Sequence, residues 1–305
     1  MTKIKITKEN CNKDLKSFLL NFFDELSNSA FNKAVKNGDI KVNNKKTVWN
    51  YFLKDGDEIS VFLRNKPKIA KKTKKVSNEF LNAKDELKVF YEDENIIVVN
   101  KPRGLICQPD MNEKIDTLNN RIKKYLFNKK DQSYTVANLC HRLDKYTTGL
   151  CVAGKKIEII RELNNLWNTS NIEKFYLCLC LGYFQERQKV LENFIYFNEK
   201  NQKMEIDLKN EFNKKIITSY KVIKQEKLYA LIEINLLTGK KHQIRVHMSY
   251  IGHPILGDTK YNKINNFGFK FPCLCSYKIK FKFDKKHFLH YLNNIKLEIK
   301  NFSFK

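Results

Sequence analysis

The stretch NLCHRLDKYTTGLCVAGK, residues 138–155, sets one carboxylate, Asp144, between Arg142 and Lys145 in a polar segment. Apolar residues flank it: Leu139 and Cys140 before, Leu150, Cys151 and Val152 after. Thr147, Thr148 and Gly149 supply turn chemistry, which puts Asp144 on a loop at the end of a sheet. A neighbouring arginine favours the ionised form of such an acid. The group is then either half of a surface ion pair or a reactive acid at the rim of a cleft. A second cluster, LLTGKKHQIRVHMSYIGHPILGD (236–258), turns at Thr238–Gly239 and predicts a helix from about His242 to Tyr250, stopped by Gly252 and Pro254. Ile244, Met248 and Ile251 share one face, with Arg245 near the first turn. A guanidinium on a buried helix face needs an anion, and Asp144 is a candidate. His242, His247 and His253 also crowd here, but no H-E-x-x-H spacing is present, so ordinary hydrogen-bonding histidines are expected rather than a metal site. The third residue is Tyr176, in EKFYLCLCLGYF (173–184). Alternation in a strand places it on one face with Cys178 and Cys180, either as a core tyrosine or as a ring that stacks on a base.

The elements that must position these residues sit in a strongly basic chain. It has 305 residues and a net charge of +25, with 58 Lys and Arg against 33 Asp and Glu. That excess points to a polyanionic partner, nucleic acid above all, although an AT-rich genome also enriches Lys, Asn and Ile. Only seven of the basic residues are Arg: positions 64, 103, 121, 142, 161, 187 and 245. An Arg kept among so many Lys hints at a need for its planar fork. No apolar run is long enough to span a bilayer, and MTKIKITKENCNKD is no secretory signal, so an intracellular protein without a membrane contact is expected. Eight cysteines then read as reduced thiols; Cys178/Cys180 and Cys273/Cys275 lack the second knuckle of a zinc site.

Residues 1–63 read as a separate module. Leu15, Phe18, Leu19 and Phe22 have helical spacing. Ser29 is the expected N-cap of a second helix that carries Phe31, Ala34 and Val35 and ends at Asn37–Gly38. Short strands follow, with turns at Asn43–Asn44 and Asp55–Gly56. Residues 64–84 are Lys-rich, without apolar periodicity until Phe80, and read as a linker. From 85 to 305, apolar runs at 95–100, 149–154, 175–184, 229–237 and 277–283 outnumber the helical patterns at 116–127, 159–167 and 242–252. The expected fold is α+β, with a mixed, mainly antiparallel sheet and flanking helices. No G-x-G-x-x-G and no G-K-[ST] loop signals a nucleotide cofactor.

Four motifs in this order resemble a known family. HRLDKYTTGLCVAGK is similar to the H-R-L-D-K-x-[ST]-S-G-L signature of the RluA-type pseudouridine synthases. NIIVVNKPRGLICQPD (95–110) is similar to their V-x-N-K-P-x-G-L segment and EKFYLCLCLG to their K-x-Y strand. LLTGKKHQIRVHMSYIGHPILGDTKY matches their T-G-R-x-H-Q-I-R-V-H…G-x-P-I-x-G-D-x-x-Y element. Thr148, Gln108, Lys241 and Cys275 depart from the pattern. The first module resembles the alpha-L RNA-binding domain, on SNSAFNKAVKNGDIKVNNKKTVWNYFLKDGDEISV (27–61). These resemblances imply isomerisation of uridine to pseudouridine in RNA, with large-subunit ribosomal RNA before transfer RNA. The rival reading is a non-catalytic RNA-binding assembly factor on the same fold. The resemblance further implies Asp144 as the catalytic acid, Arg245 as its partner, Tyr176 against the target base and assisting proton removal, and Arg142 holding the everted nucleotide. Lys33, Lys36, Lys45 and Lys46 would meet RNA phosphates. Such an isomerisation moves one bond and consumes nothing, so neither metal nor cofactor is implied; a cytoplasmic monomer is expected.

Overall fold

The computed structural model describes residues 2–7, 10–11, 13–23, 26–49, 51–62, 78–208, 213–262, 267–300 and 303–304. The chain divides into two compact units, Met1–Ser77 and Asn78–Lys305. Most of the expected linker, residues 64–77, lies outside the described residues. Its last part, 78–84, is not linker. Asn78–Asn82 forms a 3-10 turn, and the Phe80 ring packs against Phe127 and Tyr134 of the second unit, with centroids 5.9 and 5.6 Å away.

In the first unit, β1 (Thr2–Lys5), α1 (Leu15–Phe22), α2 (Asn28–Asn37), β2 (Ile40–Val42), β3 (Lys45–Lys46) and β4 (Glu58–Val61) follow in order. The sheet order is β1-β4-β2-β3. Asp14 caps α1 through the Ser17 amide. The cap of α2 is Ser27, whose Oγ accepts from the Ala30 amide, and not Ser29; Ser29 lies inside the first turn, where two residues of similar type left the start ambiguous. Gly38 ends α2 with φ 78°, a left-handed conformation cheap only for glycine. Leu15, Leu19, Phe31, Ile40, Leu53 and Ile59 form its fully buried core.

The second unit is built on β5 (Val89–Glu92), β6 (Ile96–Lys101), α3 (Leu118–Asn128), β7 (Asn138–Leu139), β8 (Thr148–Gly154), α4 (Ile157–Leu166) and β9 (Ile172–Leu181). It continues with β10 (Gln188–Asn198), β11 (Lys203–Asp207), β12 (Lys214–Gln225), β13 (Tyr229–Leu236), α5 (Gln243–Tyr250), β14 (Leu274–Phe281) and β15 (Leu297–Glu298). The strands form one eleven-stranded sheet ordered β11-β10-β12-β13-β9-β14-β8-β6-β5, with β15 beside β14 and β7 beside β8. Every pairing is antiparallel except the short one between β14 and β8. The fold is therefore α+β, as the apolar runs implied.

The central strands are apolar on both faces because both faces are covered. Ile97, Val99, Cys151 and Ala153 join a layer with Leu118 and Ile122 of α3 and Ile244 and Met248 of α5. Ile96, Val98, Leu150 and Val152 face the opposite layer with Ile159 and Leu163 of α4. β12 alternates buried and exposed residues instead, and β10 buries only Leu191 and Ile195, so both are half-covered.

The sheet carries one backbone constraint close to the HRLD segment. Gly149 has φ 110°, and a Cβ there would lie 2.2 Å from the Ser276 carbonyl oxygen on β14. No side chain fits. Gly149→Ala is expected to cost about 2–4 kcal/mol in urea unfolding; an unchanged midpoint would refute this reading of the β8–β14 seam.

Two histidines are built into this unit as neutral groups. His141 stacks on Trp167 at 3.9 Å, and its Nε2 accepts from the Val152 amide, so that nitrogen has no room for a proton. His247 is fully buried against the Thr218 hydroxyl. Burial lowers His141 to about 3 and His247 to about 4. The unfolded chain takes up these protons below about pH 6.5 while the folded chain does not. Stability should thus be full above pH 6.5 and fall on acidification toward pH 4, by up to about 2 kcal/mol per histidine at pH 5. Urea midpoints at pH 7 and pH 5 measure this, and equal midpoints would contradict it.

Candidate active site

Asp144 sits in a turn that is tied down at several points. The Thr147 amide donates to its carbonyl at 3.1 Å. The next carbonyl, of Lys145, accepts from the Gly104 amide and from Lys101 Nζ, both at 2.9 Å. Lys101 is fully buried and also donates to the carbonyls of Pro102 and Leu105. Its ammonium thereby clamps the segment after β6 to the Asp144 turn; burial lowers its pKa, opposed by nearby groups that include Asp144. On the other side of Asp144, the Leu143 amide donates to Cys107 Sγ at 3.2 Å. The backbone that carries the acid is pre-organised before any ligand arrives.

Arg245 arrives from α5, and the residues around it divide the labour of placing that helix. Gln243 is buried and holds the helix start. Its Oε1 accepts from Thr238 Oγ1 and the Lys240 amide, while its Nε2 donates to the Ile217 carbonyl and Thr218 Oγ1 on β12. Ile244 and Met248 enter the core. His242 precedes the helix in the left-handed region, with φ 57°.

The guanidinium does not give its fork to Asp144. Its Nε and Nη2 donate to the two oxygens of Asp258, each at 2.7 Å, and only Nη1 reaches Asp144 Oδ2, at 3.1 Å. Asp258 is fully buried, and its Oδ1 also accepts from the Lys260 and Tyr261 amides. The Asp258 side chain is 1% exposed, that of Arg245 11% and that of Asp144 31%. Burial pulls the Arg245 pKa down, but the Asp258 and Asp144 carboxylates more than offset this and raise it. Among the described residues, Asp144 Oδ1 takes no hydrogen bond. One oxygen of the acid is held and the other is open.

His242 and Tyr261 complete the surroundings. His242 Nε2 lies 3.7 Å from Asp144 Oδ2, and its Nδ1 lies 3.0 Å from the Tyr261 hydroxyl. That hydroxyl also accepts from the Met204 amide, so its own proton points to Nδ1 and the imidazole proton belongs on Nε2, facing Asp144. Burial lowers His242 to about 4, with Asp144 opposing and Arg245, Lys260 and Lys241 reinforcing. The ring is neutral at pH 7 and adds a polar edge to the site without charge. Asp258 and Tyr261 are the residues that single-residue reading passed over, although both stand in the quoted ILGDTKY segment.

Of the other expected site residues, Tyr176 lies on β9, 6% exposed, on the same layer as Ile244. Burial pushes its phenol pKa up, and the Asp144 charge adds to that while a Ser276 hydrogen bond opposes it. Burial thus favours the neutral phenol of Tyr176. Arg142 is exposed and, among the described residues, makes no ion pair with Asp144. Lys33, Lys36, Lys45 and Lys46 belong to the first unit, on or beside α2 and β3, and all four are exposed.

A family model described as RNA pseudouridylate synthase matches residues 95–250. The chain is 35% identical to an uncharacterized RNA pseudouridine synthase of Mycoplasma capricolum subsp. capricolum over 99% of its own length and 98% of that protein. It is 30% identical to the ribosomal large subunit pseudouridine synthase D of Borreliella burgdorferi over 67% of this chain and 64% of that one. The fold is shared with the solved human RNA pseudouridylate synthase domain containing 1, with a TM-score of 0.55 and 22% identity over 66% of this chain and 81% of that chain. With the four motifs in place on that fold, the chain belongs to the RNA pseudouridylate synthase family.

Proposed function

We propose that the protein converts uridine to pseudouridine in large-subunit ribosomal RNA, with Asp144 as the catalytic residue. The observation that carries this is the division of oxygens on Asp144: Oδ2 rests on Arg245 while Oδ1 is open. In the reaction, the bond between uracil N1 and ribose C1′ breaks, the base turns, and C5 bonds to C1′. The proton on C5 is lost and N1 gains one, so atoms balance with no co-reactant. A carboxylate fixed at one oxygen presents the other in a defined direction, and such orientation is where a one-substrate isomerisation gains most. Arg245 is a permanent positive charge that keeps the carboxylate aimed. Tyr176 offers an apolar ring for the base to pack against. Arg142, exposed beside the turn, is free to hold the everted nucleotide or fill the gap that it leaves.

The choice of ribosomal RNA rests on the similarity to the Borreliella large-subunit enzyme and on the first unit, residues 1–63, read as an alpha-L type RNA-binding domain followed by a basic linker. Lys33, Lys36, Lys45 and Lys46 are its phosphate contacts in this reading, and the protein works as a cytoplasmic monomer. No helix among the described residues is long and apolar enough to cross a membrane.

Asp144→Asn is expected to abolish pseudouridine formation in purified ribosomal RNA, mapped by chemical adduct, while RNA binding persists; turnover by this variant would remove Asp144 from its role. Replacing Lys33, Lys36, Lys45 and Lys46 together by Gln should weaken RNA binding and flatten its log–log salt dependence by about 0.7 for each single-strand phosphate that is no longer neutralised. A salt slope identical to the parent's would take these lysines out of the interface.

A further inference from the structure

Two exposed rings stand stacked beside the catalytic turn. Tyr146 and Phe271 are each 37% exposed, with centroids 4.5 Å apart and planes 20° from parallel. A cation lies near each ring: Lys145 Nζ is 5.6 Å from the Tyr146 ring centre and Arg103 Cζ 5.9 Å from that of Phe271. Arg103 is anchored by Nη2 on the Phe304 carbonyl at 3.0 Å. The pair is rooted in the same two segments that meet at Arg245. Tyr146 is two residues after Asp144, inside its turn. Phe271 is seated by Gly257, the neighbour of Asp258: a Cβ on Gly257 would lie 2.0 Å from the Phe271 carbonyl oxygen. The aromatic stack is therefore tied to the two segments that carry Asp144 and Asp258.

The geometry points to this stack as a binding platform for an unpaired nucleobase next to the reacting uridine. The inference rests on the proposed RNA chemistry at Asp144 and extends it to the flanking nucleotide. A base everted toward Asp144 loses its stacking on its neighbours, and those neighbours expose their faces within a few ångströms of the turn. Two partly exposed rings with cations close by suit a base that packs on their exposed surface and the phosphates beside it. A loop tie would need no such exposure, since the Lys101 clamp already holds the turn from the other side. The occupant is single-stranded RNA and not a protein, because the chain's charge of +25 and the cations at the stack favour a polyanion.

The test uses the full chain and a short oligoribonucleotide in which one uridine is flanked on both sides by 2-aminopurine, whose fluorescence is quenched by stacking. The parent should quench it, and Tyr146→Phe, which keeps the ring, should bind and quench alike. Tyr146→Ala and Phe271→Leu should lose roughly 5- to 150-fold in affinity with an unchanged salt slope. Quenching that survives Tyr146→Ala, or no quenching by the parent, overturns the platform. Weaker binding that comes with a flatter salt slope also overturns it, since it assigns the effect to charge. Pseudouridine mapping on ribosomal RNA with the parent reports separately on the reaction itself, so the two readings fail independently.

Discussion

Arg245 is a positive charge nearly sealed from water, and the shape of the site follows from how its nitrogens are shared. Two of them close a fork on Asp258, which is itself buried and held by two backbone amides. The third reaches out to Asp144. Removing either partner from a buried ion pair is costly because it strands a desolvated charge. The fork on Asp258 therefore makes the guanidinium a rigid fixture, and a rigid fixture can aim a half-exposed carboxylate. Had the fork closed on Asp144, both oxygens of that acid would be occupied, and none would face a substrate.

The sheet explains how residues so distant in sequence converge. Asp144 precedes β8, Arg245 follows β13 on α5, and Tyr176 lies on β9 between them in the strand order. β14 inserts between β8 and β9, and its close approach to Gly149 requires the missing side chain. The buried Lys101 then ties the end of β6 to the Asp144 turn from behind. Each anchor uses a backbone group of the turn, which leaves the Asp144 side chain to its chemistry.

Much of this was legible in the sequence, for particular reasons. Largely apolar runs marked β6, β8, β9 and β14, whose faces are mostly buried, and β13, which buries one face and alternates. The strands β10, β11 and β12 went unread: they are half-exposed, and lysines such as Lys189, Lys203 and Lys221 blur their alternation. The pairing of Asp144 with Arg245 was anticipated, but the destination of the fork was not. A guanidinium on a helix face announces a need for an anion without saying which of two carboxylates it grips, and Asp258 was quoted within a motif but not singled out. The cap of α2 was misplaced by two residues because Ser27 and Ser29 both suit the position. The pushed-up phenol of Tyr176 depends on tertiary burial, which strand alternation alone does not quantify.

If Asp258 acts on catalysis only through Arg245, the two residues form one unit. The direct measurement is a double-mutant cycle on the rate of pseudouridine formation in ribosomal RNA, with Arg245→Lys, Asp258→Asn and the combined variant. A single ammonium cannot serve both carboxylates, so each variant alone should release Asp144 from its aim. The account predicts that the double variant is no slower than the slower single variant. Losses that multiply would show that the two residues act independently, and would contradict the shared guanidinium as the constraint on which the site depends.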